Sequence, residues 1–319
     1  MTDYILSESL NRAIEIALHL NKPLFLCGEP GTGKTKLAEF LAKKYSKENP
    51  GDYAPFHPDL LVFDTKTTSS ATDLFYTYDA LGRLRDAYAQ ATSEPGDYVE
   101  LKALGKAIVF KHGSASEELD DIRSIRDFKT EGAIPPEPTS TVVLIDEIDK
   151  APRDFPNDIL NEIEHQQFTI REVGGRVPKA ENNAKILVIM TSNNEKNLPD
   201  PFLRRCIYHY IEFPGDTLLE EIVLAHFPDL KNIPVQPETT KGIINTFGEL
   251  RKLSVLKRPA TAEFIDLLRI LERDQLLTEA WKPYKSLPPE IKTKLTDSIG
   301  LLFKNSSDVA EVKEAIAKM

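Results

Sequence analysis

The stretch Gly28-Glu29-Pro30-Gly31-Thr32-Gly33-Lys34-Thr35 matches the phosphate-loop pattern G-x-x-x-x-G-K-S/T at every fixed position. The short apolar run before it, residues 23–27, predicts a buried strand. The residues after it predict a helix with one apolar face, because Leu37, Phe40 and Leu41 recur at helical spacing. Strand, glycine-rich loop and helix are the context in which this pattern binds the phosphates of a nucleotide.

The residue types in this loop suit a triphosphate and its metal ion. Glycine lets the backbone wrap phosphate oxygens with its N–H groups, and the N-terminus of the following helix adds a favourable dipole. Lys34 is placed to reach the β- and γ-phosphates, and the Thr35 hydroxyl is placed to ligate Mg²⁺. All eight residues of the loop, 28–35, are therefore candidate nucleotide-binding residues.

Composition and charge limit the class of protein. The chain has 319 residues, of which 41% are hydrophobic and 28% charged, as is ordinary for a globular protein. No apolar run reaches the roughly 18 residues of a membrane-spanning helix, and the N-terminus lacks a signal-peptide pattern. Cys27 and Cys206 give neither a disulfide framework nor metal-ligand spacing, so we expect a cytoplasmic protein without a membrane partner. The net charge of -10 disfavours direct binding of nucleic acid.

An acidic pair follows a second apolar run. Residues 141–145 predict a central strand buried on both faces, and Asp146 and Glu147 come directly after it. Ligands gather at this end of the strands in open α/β sheets. Asp146 would hold Mg²⁺ together with Thr35, and Glu147 is placed to deprotonate an attacking water. The alternative is a solvated acidic cluster at a strand end.

Two further polar segments lie near predicted strands. Asn193 follows the strand predicted at 185–190, where its amide could hold the attacking water, although paired asparagines also form turns. Arg204 and Arg205 precede the strand predicted at 207–213. A guanidinium group supplied by a neighbouring subunit is well suited to stabilise a phosphoryl group during its transfer. The alternative for these arginines is a salt-bridged surface pair.

In this order and spacing, the motifs resemble those of an AAA+ ATPase of the MoxR-like branch, over roughly residues 1–270. The matching segments are 28–35 for Walker A, 144–147 for Walker B, Asn193 for sensor 1, 202–206 for the arginine-finger segment and 168–177 for the pre-sensor-1 hairpin. The turn of this hairpin is predicted at Gly174-Gly175.

The resemblance implies a fold and a division into domains. We expect an α/β P-loop NTPase core with a parallel sheet, the AAA+ αβα arrangement, at residues 1–214, followed by an all-helical lid at 215–319. The extra length between about 66 and 140 is compatible with the helix-2 insert of this branch. Within it, the polar segment 114–137 is predicted to be a loop.

The resemblance also assigns roles to individual residues. Arg205 corresponds best to the arginine finger, with Arg204 as the alternative. Arg258 is the candidate for sensor 2, with Lys257 as a substitute, because the family more often has a proline before this arginine and here Pro259 follows it.

The implied activity is Mg²⁺-dependent hydrolysis of ATP to ADP and phosphate. A finger supplied in trans requires a homo-oligomeric ring, which we expect to be a hexamer. The MoxR-like resemblance implies a chaperone-type remodeller of a partner protein, such as one with a von Willebrand A domain. The alternative is a motor or switch subunit of a nucleic-acid-directed restriction or defence system, which shares the insert and the hairpin. A slow signalling switch is disfavoured by the intact Glu147.

Overall fold

The computed structural model describes residues 4–89, 93–193, 198–232, 236–253, 258–277, 281 and 288–317. The chain divides into two compact units. We call them the α/β unit, which comprises Leu6–Gly28 and Lys34–Ile211, and the helical unit, which comprises Met1–Ile5, Glu29–Gly33 and Glu212–Met319. The tip of the phosphate loop is thus grouped with the C-terminal residues. The division at residue 214 into core and lid stays a prediction.

The strands of the described residues belong to the α/β unit and are β1 (Leu24–Gly28), β2 (Leu61–Asp64), β3 (Tyr76–Tyr78), β4 (Val99–Leu101), β5 (Thr141–Asp146), β6 (Phe168–Ile170), β7 (Gly175–Val177), β8 (Ile186–Ser192) and β9 (Ile207–Ile211). Five of them form one parallel sheet in the order β2-β5-β8-β1-β9. Every residue of β1 and β8 is buried, whereas burial alternates along the edge strands β2 and β9. This contrast is the one expected between central and edge strands, and the predicted parallel α/β core is confirmed.

The helices of the α/β unit are α1 (Glu8–Leu20), α2 (Lys34–Lys47), α3 (Ala80–Tyr88), α4 (Ala103–His112), α5 (Arg126–Lys129), α6 (Phe155–His165) and α7 (Asp200–Leu203). Shorter 3₁₀ segments also occur, including Glu117–Ile122 and Ile148–Lys150. The start of α1 is set by Ser7, whose hydroxyl accepts a hydrogen bond from the backbone N–H of Leu10 at 3.2 Å.

The region between β2 and β5 is folded throughout much of its described length. Strands β3 and β4 pair in an antiparallel ladder, and α3 lies between them in the chain. The predicted loop at 114–137 is wrong, because this segment contains the 3₁₀ helix Glu117–Ile122 and α5. Leu119, Ile122 and Ile125 are fully buried in it. Their spacing of three residues matches a 3₁₀ helix with three residues per turn, a signal too short to stand out in a polar segment.

The hairpin predicted at 168–177 is present as β6 and β7, but its turn is placed differently. The prediction put the turn at Gly174-Gly175, whereas the turn comprises residues 171–174 and Gly175 is paired in the ladder. Gly174 has a φ of +68°, which favours glycine. Gly175 is required for a different reason, since a Cβ there would lie 2.6 Å from the carbonyl oxygen of Asp121.

The helical unit contains α8 (Asp216–His226), α9 (Gln236–Lys252), α10 (Thr261–Arg273), α11 (Pro289–Asp297), α12 (Ile299–Leu302) and α13 (Ser306–Ala317). Aromatic rings form part of its core. Phe247 stacks on Phe264 with ring centroids 4.1 Å apart, and Phe213 lies 6.1 Å from Phe247. Trp281 is buried and donates its indole N–H to the carbonyl of Leu276 at 2.7 Å. The predicted helical C-terminal region is confirmed.

Candidate functional site

The phosphate loop joins β1 to α2, as the sequence predicts. Gly28 ends β1 and Lys34 begins α2. Gly31 and Gly33 have φ values of +75° and +86°, a left-handed conformation that glycine adopts without steric cost. The hydroxyl of Thr32 closes the turn from within by donating to the carbonyl of Glu29 at 2.9 Å. The loop therefore has the backbone shape that a phosphate cradle needs.

Lys34 is held at the base of this loop. Its side chain is buried, and its Nζ donates to the carbonyl of Gly28 at 2.9 Å. Burial lowers the pKa of the Lys34 ammonium, while nearby negative groups, including Asp146 and Glu147, oppose that shift. The ammonium is thus fixed beside the loop and faces a cluster of carboxylates.

The two predicted metal ligands are in contact. Thr35 lies in the first turn of α2, and its hydroxyl donates to the carboxylate of Asp146, with distances of 3.1 and 3.3 Å to the two oxygens. A hydroxyl and a carboxylate are hard oxygen ligands that suit Mg²⁺, which usually takes one or two protein ligands and completes its shell with phosphates and water. In the described part of the chain, no group of three or more His, Cys, Asp or Glu side chains could hold a metal. The donor set fits an ion delivered with a nucleotide.

Thr191, which the sequence did not single out, fixes both acids. Its hydroxyl donates to Asp146 and accepts a hydrogen bond from the backbone N–H of Glu147 at 2.9 Å. Thr191 is almost completely buried, so these bonds are protected from water. The position follows from the parallel register of β5 and β8, in which Ile145 is paired with Met190. Finding Thr191 in the sequence would have required knowing that these two strands are neighbours.

Glu147 and Asn193, two of the predicted site residues, are in contact. The amide of Asn193 donates to one carboxylate oxygen of Glu147 at 3.1 Å, and the other oxygen is paired with Lys150. Glu147 has a φ of +53°, a left-handed conformation that costs a non-glycine residue roughly 1–2 kcal/mol. Such strained residues cluster at functional sites, and here the bond to Thr191 helps to hold the conformation.

Arg204 and Arg205 lie at the amino end of the strands of the same sheet, opposite to the end that carries the phosphate loop. Both are exposed and directly precede β9, which runs parallel to β1 with Ile207 beside Leu24. The phosphate loop leaves the other end of β1, after Gly28, four residues further along. Four residues of strand span about 13 Å, so the two arginines are well separated from the loop end of their own sheet.

The predicted sensor 2 residue is not the arginine that contacts the phosphate loop. Arg258 is exposed, and Lys257 lies outside the described residues. Within the helical unit, Arg251 near the end of α9 forms an ion pair with the carboxylate of Glu29. The two positions are 222 residues apart in the chain, so no local pattern in the sequence indicates their contact.

Together, a parallel sheet of order β2-β5-β8-β1-β9, a phosphate loop after β1 and an acidic pair after β5 define a P-loop nucleotide-binding protein with the AAA+ fold. The chain belongs to the AAA domain family of the dynein-related subfamily, whose profile matches residues 23–206, more than half of its length. AAA+ ATPases in general use ATP with Mg²⁺ and typically form oligomers.

Among solved structures, the chain is similar to the RuvB Holliday junction branch migration motor of Thermotoga maritima, with a TM-score of 0.38 and 14% sequence identity. That match covers 94% of this chain and 78% of the other. No curated protein sequence matches the chain. No helix in the described ranges is long and apolar enough to cross a membrane.

Proposed function

We propose that the protein binds ATP with Mg²⁺ and hydrolyses it to ADP and phosphate. The observation that carries this proposal is the hydrogen-bonded group formed by Thr35, Asp146 and Thr191 at the carboxyl end of β5, with Glu147 attached to it through its backbone N–H. A metal ligand pair and a candidate base are thus positioned by one buried hydroxyl.

Each residue has a distinct role in this mechanism. The N–H groups of the loop and the ammonium of Lys34 bind phosphate oxygens. Thr35 and Asp146 would hold the metal ion, which would supply positive charge beside the phosphates. Glu147 accepts a proton from the attacking water. Asn193, which donates to the Glu147 carboxylate at 3.1 Å, orients that carboxylate and the water beside it.

A finger in trans and a ring belong to the same proposal. Arg205, or Arg204 as the alternative, would act on the nucleotide of a neighbouring copy, since both lie at the amino end of the strands, whereas their own phosphate loop follows the carboxyl end of β1. A head-to-tail contact of this kind closes into a ring, for which we propose a hexamer.

The proposed work is the remodelling of a partner protein, as in the MoxR-like branch, such as a partner with a von Willebrand A domain. Helix α3 of the insert supports this. Leu81, Leu84 and Tyr88 share one face of the helix and are 79%, 54% and 82% exposed. Clustered exposed apolar side chains are typical of surfaces that bind other proteins.

Two variants test the proposed chemistry. Glu147→Gln keeps the shape of the side chain but cannot take a proton, so we expect near-normal ATP affinity and a turnover lower by about 10²–10⁴-fold. Lys34→Ala removes the ammonium beside the loop and should abolish ATP binding measured by calorimetry. Glu164→Gln, on an exposed position of α6, is the matched control and should change neither quantity. Tight ATP binding by Lys34→Ala would refute the site.

The partner proposal is tested on the ATP-bound form. A protein captured by Glu147→Gln with ATP should be lost when Leu81, Leu84 and Tyr88 are all changed to Ser, and kept when the exposed Leu20 of α1 is changed to Ser. Stimulation of the ATPase by DNA, with none by the captured protein, would favour the nucleic-acid motor instead.

A further inference from the structure

Arg251 is held in a defined orientation within the helical unit. Its guanidinium lies over the ring of Phe213, 3.9 Å from the ring centroid, and its Nε donates to the carbonyl of Pro259 at 2.9 Å. Its third contact is the ion pair with Glu29. The Arg251 side chain is only 14% exposed, whereas that of Glu29 is 39% exposed, so the guanidinium is largely shielded from bulk water and its carboxylate partner is not. The planar guanidinium is thus ordered before any ligand arrives.

The ring under Arg251 is itself supported. Phe213 packs toward Phe247, which stacks on Phe264 at 4.1 Å. This aromatic column links the guanidinium to the core of the helical unit. Arg251 is therefore attached to a rigid part of the unit, in contrast to the exposed Lys252 next to it, which pairs with Glu249 one turn earlier.

Glu29 occupies a position where a free carboxylate would be harmful. It lies in the phosphate loop, whose N–H groups form an anion-binding concavity. A carboxylate released next to that concavity can compete for the same N–H groups and repel an incoming phosphate. Engagement of Glu29 by a cation removes this competition.

We propose that Arg251 is a positioning residue for nucleotide binding, which holds the Glu29 carboxylate away from the anion-binding N–H groups of the phosphate loop. The inference rests on the proposed ATP-binding function and deepens it. Arg251 acts through Glu29 and not on the nucleotide. Loss of Arg251 should therefore weaken ATP binding only when residue 29 carries a carboxylate.

A double-mutant cycle tests this dependence. Arg251→Gln should raise KM for ATP by about tenfold, or about 1.4 kcal/mol, with kcat within twofold, because ground-state and transition-state binding are weakened alike. Glu29→Gln should have a much smaller effect, since an amide can still accept from Arg251. In the double variant the competing carboxylate is gone, so KM should return to within about threefold of the wild-type value.

Controls separate this role from simple packing. Lys252→Ala, the neighbouring exposed cation on α9, should leave KM unchanged. Arg251→Lys provides a second variant if Arg251→Gln folds poorly, and it should restore KM partly because it keeps a cation but loses the planar fork. A structural role for Arg251 would not be rescued by Glu29→Gln.

The outcomes are distinguishable. If the wild-type protein does not bind ATP, the proposed function fails and this inference fails with it. If the wild-type protein binds ATP but the double variant remains at least as impaired as Arg251→Gln, the ATP site stands and the positioning role is overturned.

Discussion

The two ends of the parallel sheet differ in how far their charged residues are exposed to solvent. At the carboxyl end, Asp146 and Glu147 are bonded to Thr35, Thr191 and Asn193 of the same chain. At the amino end, Arg204 and Arg205 are exposed. The first arrangement is suited to hold a nucleotide and a metal ion within one subunit. The second offers cations outward, where a further copy of the chain could receive them.

The largest expected effect comes from the amino end. An arginine finger contributes about 10³–10⁵-fold to turnover, so we expect Arg205→Ala to lose activity in that range. The affinity of the isolated subunit for ATP should not change, because Arg205 lies at the amino end of the strands, far from the phosphate loop of the same chain. Arg204→Ala is the matched comparison and decides which arginine acts. Turnover per subunit of the wild-type protein should also rise with protein concentration.

Mixing two inactive variants tests whether the two ends of the sheet act together at a site shared between subunits. Glu147→Gln and Arg205→Ala should partly complement each other, since at some interfaces an intact Arg205 meets an intact Glu147 of the neighbour. If mixed oligomers form and remain as inactive as both parents, the two ends of the sheet do not share a site. Arg205 would then belong to the salt-bridged surface pair that is the alternative to an arginine finger.

The carboxyl end could be predicted to a large extent because its motifs are contiguous. A phosphate loop needs eight consecutive residues with a strand before and a helix after, and the acidic pair directly follows a run of apolar residues. When all residues of a motif are neighbours in the chain, the motif can be recognised without knowledge of the fold.

The residues that could not be identified from the sequence make contacts with residues that are distant in the chain. Thr191 is adjacent to Asp146 only because β5 and β8 are paired, and strand order is not encoded in either strand alone. Arg251 meets Glu29 over 222 positions, and the predicted Arg258 is exposed instead. Segment 114–137 was misassigned for a related reason, since its few apolar residues indicate regular structure only when it is known that they are buried in the core. Tertiary context decided all three.

Of the changes at the two ends of the sheet, Thr191→Val has the smallest expected effect on turnover and gives the sharpest test of the carboxyl end. Thr191→Val keeps the shape of the side chain but removes the hydroxyl, which leaves the backbone N–H of Glu147 without its acceptor and Asp146 without one of its donors. An unsatisfied buried group costs about 1–3 kcal/mol, so the free energy of unfolding, measured by urea denaturation, should fall by that amount. Turnover should fall by up to about 10²-fold because Glu147 is no longer held in its left-handed conformation, and small displacements of catalytic groups are costly. Thr191→Ser retains the hydroxyl and should recover most of the turnover. If Thr191→Val is destabilised but turns over ATP at the wild-type rate, Thr191 supports the fold alone, and the acids at this end of the sheet are positioned by other contacts.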